Sequence, residues 1–524
     1  MVWRQRRRLT RRHVSYALGG AVVAVAAVMT PPLEYLPSSL LPSRVVLEGF
    51  VRVLRCAYVG SCVFVDYAWT LHGVEEQQLW NQAHLRNAAR LVTLAETNGG
   101  LYVKVGQVFA NMHHILPSQY CSVMAVLQDN VAKRSFNEVL AVLVCDLEQP
   151  VNEVFETIDP TPIAAASLAQ VHRAKLKKEG IDVAVKVQYI DVAQRFVGDM
   201  RAIQVLLGIA GFLFRGYDFS TIIAKLNKTI GNELDFSLEA DNCERAGRDL
   251  VAGGFGDRVV TPEVFRAYTT QRVLTTRLIN NAVKITDING LKEMGIHPRT
   301  VSTWLCDALS YQLFVSGFVH ADPHAGNILV HKLPNGKPQV VMLDFGLCTE
   351  LSDELRTDLA TIWTSSITHD TPTLARVSEK FGVEDYALLA SCFLHHPYEL
   401  FNAGERVVTK LTKELMRDEV RNRMHKINDI VSSLPREYAL VLRNIMAAKA
   451  INKELHDPVN RPLRMLRYSA RVSSASESRW YILRLMLYAW WSEFVSSLQL
   501  AYVKWRYPGV ASALEDFSEL QLSG

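Results

Sequence analysis

No CxxC pair and no Cys/His cluster with metal-ligand spacing occurs in the 524 residues. The eight cysteines (Cys56, Cys62, Cys121, Cys145, Cys243, Cys306, Cys348 and Cys392) are scattered. That excludes a disulfide framework or a zinc module and leaves buried or free thiols in a reducing compartment. Also missing are a long low-complexity run and an internal repeat, so the chain is neither a disordered scaffold nor a solenoid. The body lacks a basic surplus. Six arginines (Arg4, Arg6, Arg7, Arg8, Arg11, Arg12) crowd the first 13 residues, and without them the formal charge of +4 falls to near neutrality. A nucleic-acid binder carries its basic surface on the folded body, so no nucleic-acid partner is expected.

With 49% hydrophobic and 21% charged residues, the composition is globular, and the length allows a large core and more than one domain. The acid-free, arginine-rich start is followed by an apolar stretch, Val14–Met29, whose 16 residues fall short of the ~20 that span a bilayer comfortably. A tilted span, a cleaved presequence and the apolar region of a secretory signal remain open for it. The arginine pattern favours a mitochondrial presequence, and mitochondrial, membrane-associated localisation is expected. At the other end, Trp480–Tyr507 reads as one long amphipathic helix, either packed on the body or lying in a membrane interface.

Apolar spacing predicts helix from about Val45 to Thr97, stopped by Asn98-Gly99-Gly100, then a helix from Leu101 and shorter helices to about Leu147. Strands are expected at Val154–Ile158, Ser167–Leu176 and Asp182–Gln188, the last two joined by Lys178-Glu179-Gly180. Helices over Val192–Phe214 and Ser220–Arg248 and a strand at Arg272–Ile279 come next. From Leu291 the chain is mostly helical, apart from a hairpin of Ile328–His331 and Val340–Leu343 around Pro334-Asn335-Gly336. This is the element order of a protein kinase: an α+β, bilobal kinase-like fold with an N-terminal helical extension and a largely helical C-lobe. The expected divisions are a targeting segment (1–30), a helical extension (31–150), a kinase-like domain (151–465) and a helical tail (466–524).

Phosphoryl transfer needs metal to bridge phosphates, a carboxylate and an amide to hold it, and a second carboxylate beside the nucleophile. His320-Ala-Asp322-Pro-His-Ala-Gly-Asn327 followed by Asp344-Phe345-Gly346 supplies these groups. Asp322 and Asn327 have the five-residue separation of a kinase catalytic loop, and Asp344 follows a hairpin. Asp322 would be the catalytic carboxylate, with Asn327 and Asp344 on the metal. Taken alone, Asp322-Pro323 would be a turn or helix cap. Val183-Ala-Val-Lys186 matches the strand lysine that grips phosphates. The run Glu233-Leu-Asp235-Phe-Ser-Leu-Glu239 offers acids at different azimuths of one helix, one of which would face Lys186. No GxGxxG stands at the phosphate loop. Ala164-Ala165-Ala166-Ser167 occupies that place, and alanines do not take the positive-φ turns that glycines permit. No Ala-Pro-Glu follows the Asp-Phe-Gly.

Together these residues resemble the UbiB/ABC1, or aarF-domain, atypical kinases, over about Leu71 to Asn460. Lys104-Val-Gly106-Gln107 matches the family's KxGQ, Ala164–Ser167 its alanine-rich loop and Glu233-Leu-Asp235 its ExD. The runs starting at Gly99, Pro162 and Val185 look most like the aarF-domain-containing kinase five branch. The resemblance implies that Lys186 pairs with Glu239, that Ala164–Ser167 and Lys186 bind nucleotide, and that Lys104 and Gln107 lie over the active site near Glu233 and Asp235. It implies Mg²⁺ with ATP or ADP, ATPase-like activity, and a role in coenzyme Q or other lipid metabolism, with a membrane or isoprenoid lipid as partner. Ala325 departs from the family's proline, and Arg277 with Asn280-Asn281 replaces its usual acidic residue and glycine. A pseudokinase acting as a nucleotide-gated binding module is the alternative. An aminoglycoside-phosphotransferase-like kinase shares the Asp/Asn/Asp logic but not the KxGQ extension.

Overall fold

The structure is a computed structural model. It describes residues 41–70, 77–110, 116–128, 133–213, 231, 233–396, 398–400, 427, 430, 433–473, 480, 483, 487, 490 and 491. The expected targeting segment lies outside them. The chain forms two compact units: the first holds residues up to Glu244 together with Pro262–Ile279, and the second holds Arg245–Thr261 and the chain from Asn280 onward.

The first unit begins with helices α1 (Leu41–Thr70), α2 (Gln77–Asn98), α3 (Leu101–Ala110), α4 (Ser118–Met124) and α5 (Phe136–Asp146). The expected Val45–Thr97 helix is thus two helices, which pack on each other. Strands β1 (Phe155–Ala165), β2 (Ala169–Leu176), β3 (Asp182–Gln188) and β5 (Val273–Arg277) form one antiparallel sheet in the order β1-β2-β3-β5. β1 runs seven residues beyond its expected end, through Pro160 and Pro162, because it is an edge strand and proline there removes no ladder bond. On β3, period-two alternation buries Val183, Val185 and Val187 against Val139, Val142 and Leu143 of α5. Lys186 is left on the other face, where Ala169, Phe236, Ala240 and Leu274 cluster. A further core joins Leu101, Tyr102, Val103 and Val105 of α3 to Leu168, Tyr189 and helix α6 (Val192–Leu213). A buried ion pair secures this packing: Arg52 Nε donates to Asp199 Oδ1 at 3.0 Å, and Arg52 also donates to the Asn98 carbonyl at the end of α2.

The expected Ser220–Arg248 helix is broken. Residues 220–230 lie outside the described set, and Leu234 and Asp235 interrupt the helix before α7 (Phe236–Ala252). Asp235 accepts from the Ser237 N–H at 2.9 Å, so it caps α7 rather than lying within it.

In the second unit, β4 (Val259–Val260), β6 (Val283–Lys284), β8 (Ile328–Lys332) and β9 (Pro338–Met342) form a sheet in the order β4-β9-β8-β6, and β7 (Phe318–His320) pairs with β10 (Cys348–Glu350). The β8–β9 turn has Gly336 at φ 79°, a left-handed conformation that suits glycine. Around these strands stand α8 (Pro298–Tyr311), α9 (Asp353–Thr368), α10 (Thr371–Lys380), α11 (Tyr386–Leu394), α12 (Arg436–Glu454) and α13 (Arg461–Ser469). Their core is built on Phe314, Trp363, Phe393 and Tyr438, all fully buried. Among the described residues, no helix is long and apolar enough to cross a membrane. From the C-terminal stretch, Trp480, Leu483, Leu487, Trp490 and Trp491 are described, and all are exposed.

Candidate functional site

Two clusters carry the residues singled out in the sequence, one in each unit. In the first unit, Lys186 Nζ donates to both carboxylate oxygens of Glu239 at 2.8 Å. The Glu239 side chain is 7% exposed and that of Lys186 21%, so the pair is shielded but reachable from the lysine side. Glu239 lies in the first turn of α7, where the helix dipole favours a negative charge. Phe236, one turn earlier, places its ring 5.0 Å from Lys186 Nζ, a cation–π contact that limits the ammonium's positions. The segment before α7 is tied to the sheet: Gln188 Nε2 donates to the Leu234 carbonyl and Phe236 N–H to the Gln271 carbonyl.

The KxGQ residues divide their work. Lys104 Nζ sits 2.5 Å from Glu233 Oε2. Gln107 Nε2 donates to the Leu127 carbonyl at 2.9 Å. A Cβ on Gly106 would stand 2.3 Å from Leu127 Cδ1, so any other residue there forces the buried Leu127 side chain to shift. Of the two ExD acids, Glu233 holds Lys104 while Asp235 caps α7.

The alanine-rich segment divides as well. Ala164 and Ala165 end β1 opposite Val171 and Gln170. Ala166 N–H closes a tight turn on the Ala169 carbonyl, the Ala166 carbonyl accepts from the Tyr189 hydroxyl, and Ser167 is buried. None of the four has a positive φ, in keeping with the exclusion argued for alanine.

In the second unit, Asn327 precedes β8 and Asp344 follows β9. The hairpin register, with Ile328 opposite Met342 and Leu343 N–H donating to the Asn327 carbonyl at 2.7 Å, brings them to its open end. Asp344 is exposed and adopts φ 55°, a left-handed conformation that aspartate tolerates. Its Oδ1 accepts from the Gly346 N–H. Phe345 is buried with its ring 4.8 Å from that of His320. His320 links the two motifs: Nδ1 accepts from the Asp322 N–H at 3.1 Å and Nε2 faces the Leu343 carbonyl at 3.3 Å. Since an N–H only donates and a carbonyl only accepts, the ring is neutral with its proton on Nε2. Burial pushes its pKa below the ordinary histidine range, in agreement.

Sequence reasoning missed the neighbours of Asp322 on α12. Arg443 Nη2 donates to Asp322 Oδ2 at 2.7 Å, and the buried Asn444 donates to the His320 carbonyl at 2.6 Å. They stand more than a hundred residues downstream and belong to no local motif. The one hint is that His320–Asn327 contains no lysine or arginine of its own.

The profile of the ABC1 atypical kinase-like domain matches residues 126–378. "Probable serine/threonine-protein kinase abkD" of Dictyostelium discoideum is 36% identical over 441 residues, covering 83% of this chain and 62% of its own length. The same organism's "Probable serine/threonine-protein kinase abkB" is 33% identical over 406 residues, 75% of this chain and 59% of the relative. The chain therefore spans about three fifths of the length of these two relatives. "AarF domain-containing protein kinase 1" of Xenopus laevis is 32% identical over 416 residues, covering 78% of this chain and 79% of its own. A solved structure titled as the Rv3197–erythromycin complex from Mycobacterium tuberculosis covers 72% of this chain and 95% of its own, with 22% identity and a TM-score of 0.44.

Proposed function

We propose, from the premise that this chain belongs to the ABC1/UbiB atypical kinase family, that it binds Mg²⁺ with ATP or ADP and transfers or hydrolyses the terminal phosphoryl group. The observation that carries this reading is the Lys186–Glu239 pair, a lysine held by a shielded carboxylate on the strand and helix that the chemistry requires. Lys186 would hold the phosphates, with Ala164–Ser167 covering them. Asp322 would orient the attacking oxygen and take its proton.

Asn327 and Asp344 fit a magnesium ion: two oxygen donors at the open end of one hairpin, one of them an exposed carboxylate. Among the described residues no three His, Cys, Asp or Glu side chains converge, so the remaining ligands would be phosphate oxygens and water. The bound ion would supply charge neutralisation at the phosphates. Lys104, held by Glu233, and Gln107, held by Leu127, would fix the extension helix that limits which acceptors enter.

The finer assignment to the kinase five branch is drawn from the runs at Gly99, Pro162 and Val185. The named relatives carry other branch names. A mitochondrial, membrane-associated setting and a lipid-related role, including coenzyme Q metabolism, are proposed from the arginine-rich N-terminus and from exposed Trp480, Trp490 and Trp491, whose rings suit a membrane interface. The decisive experiment compares Mg·ATP hydrolysis by the unaltered chain and by Asp344→Asn, with and without liposomes. Loss of turnover in the variant supports the enzyme. Equal rates leave the pseudokinase reading, a nucleotide-gated module for a membrane partner.

A further inference from the structure

We infer that Arg443 is the cation that faces the transferred phosphoryl group beside Asp322. The inference rests on the kinase reading above and adds a residue to it. Charge builds on the equatorial oxygens of a phosphoryl group in flight, and a positive group placed there beforehand stabilises it. The loop from His320 to Asn327 offers no lysine or arginine. Arg443 supplies one from α12, with Nη2 donating 2.7 Å to Asp322 Oδ2.

Three features set this apart from an ordinary surface ion pair. The helix face is fixed, because the adjacent Asn444 is fully buried and donates to the His320 carbonyl at 2.6 Å. Arg443 therefore stands over the loop by construction. Its side chain stays 43% exposed and that of Asp322 31%, so the pair is open to an incoming ligand. A guanidinium carries five N–H donors in a planar fork, so a contact to one carboxylate oxygen leaves others for phosphate oxygens. Exposed ion pairs contribute little to folding, so a purely structural role would be slight.

The step balances without any change at Arg443. The oxygen of water, or of an acceptor hydroxyl, forms a bond to the γ-phosphorus. The bond from that phosphorus to the β–γ bridging oxygen breaks, and its electron pair leaves with ADP. The proton of the attacking oxygen passes to Asp322. Arg443 remains protonated and keeps the Asp322 carboxylate beside the attacking atom.

The test is steady-state Mg·ATP hydrolysis by the full chain carrying Arg443→Met or Arg443→Lys, with Asp344→Asn alongside and thermal unfolding of each. The expected result is a loss of about 100-fold in kcat for Arg443→Met, with KM changed by less than about twofold. Arg443→Lys should recover about tenfold of it, and both should melt with the unaltered chain. Unchanged or faster turnover in Arg443→Met overturns the inference, as does an equal loss in both variants accompanied by a lower melting temperature. If Asp344→Asn is inactive while Arg443→Met is normal, the inference alone fails. If the unaltered chain shows no metal-dependent turnover, or turns over no faster than Asp344→Asn, the kinase reading fails and takes the inference with it.

Discussion

Lys186 Nζ stands 2.8 Å from each carboxylate oxygen of Glu239, a symmetric contact made by two residues 53 positions apart. Removing one partner takes this contact from the other. Lys186→Met takes a positive charge from beside the nearly buried Glu239, which should lower folding stability by about 3 kcal/mol. Nucleotide turnover should fall at least about 100-fold. Glu239→Gln should cost less stability, since a neutral amide remains, and still impair turnover by releasing the lysine. Urea midpoints and hydrolysis rates of the two variants separate these effects.

Metal removal offers a second check. A nucleotide held through Asn327 and Asp344 binds the folded chain alone, so it raises the unfolding free energy by about 2.7 kcal/mol at a hundredfold excess over Kd. Adding a chelator should abolish that stabilisation and leave the nucleotide-free melting temperature unchanged. The same stabilisation with and without Mg²⁺ would refute metal-bridged binding.

Gly106 predicts a packing effect. Its absent Cβ makes room for Leu127 Cδ1, so Gly106→Ala should destabilise by about 1–3 kcal/mol. The double variant Gly106→Ala/Leu127→Ala should lose less than the sum of the two single losses, because trimming Leu127 relieves the overlap. Additive losses in denaturant unfolding would show that the close approach is not the cause.

His395 sets a pH dependence of its own. Its Nε2 is buried with no hydrogen-bond partner among the described residues, and burial, reinforced by Arg461 and Lys449, pushes its pKa down to about 3. The unfolded chain protonates this ring near pH 6.5, whereas the folded chain does so only near 3. Across that window the unfolded state binds more protons, so stability falls as pH falls. Between pH 7 and pH 5 the loss from this group should be about 2 kcal/mol. His395 has φ 52°, a conformation that asparagine also accepts, so His395→Asn should fold and show a correspondingly smaller loss in urea titrations at the two pH values.

Much of this architecture is local and could be read from the chain. Strand β3 falls at Asp182–Gln188 as expected, because the alternation of Val183, Val185 and Val187 is a two-residue signal contained in the segment itself. The β8–β9 hairpin was legible for the same reason, through its turn residues. The break before α7 was written in Leu234, Phe236 and Leu238, which repeat every second residue rather than at helical spacing, with Asp235 in capping position. The continuous-helix expectation passed over that pattern. What could not be read was long-range. Nothing beside Lys104-Val-Gly-Gln says that its glutamine and glycine answer to Leu127, and nothing near Asp322 announces Arg443 or Asn444, because those pairings arise only when distant helices pack.

His320 has one further implication. Its imidazole is the rung between the backbone of Asp322 and the backbone preceding Asp344, and each nitrogen has a single assigned task. A shift of Leu343 would therefore be felt at the Asp322 amide through a rigid five-membered ring rather than a flexible side chain. The two carboxylate-bearing loops should keep step during turnover, and an unbranched hydrocarbon at position 320 would let them drift independently even with every charged group still in place.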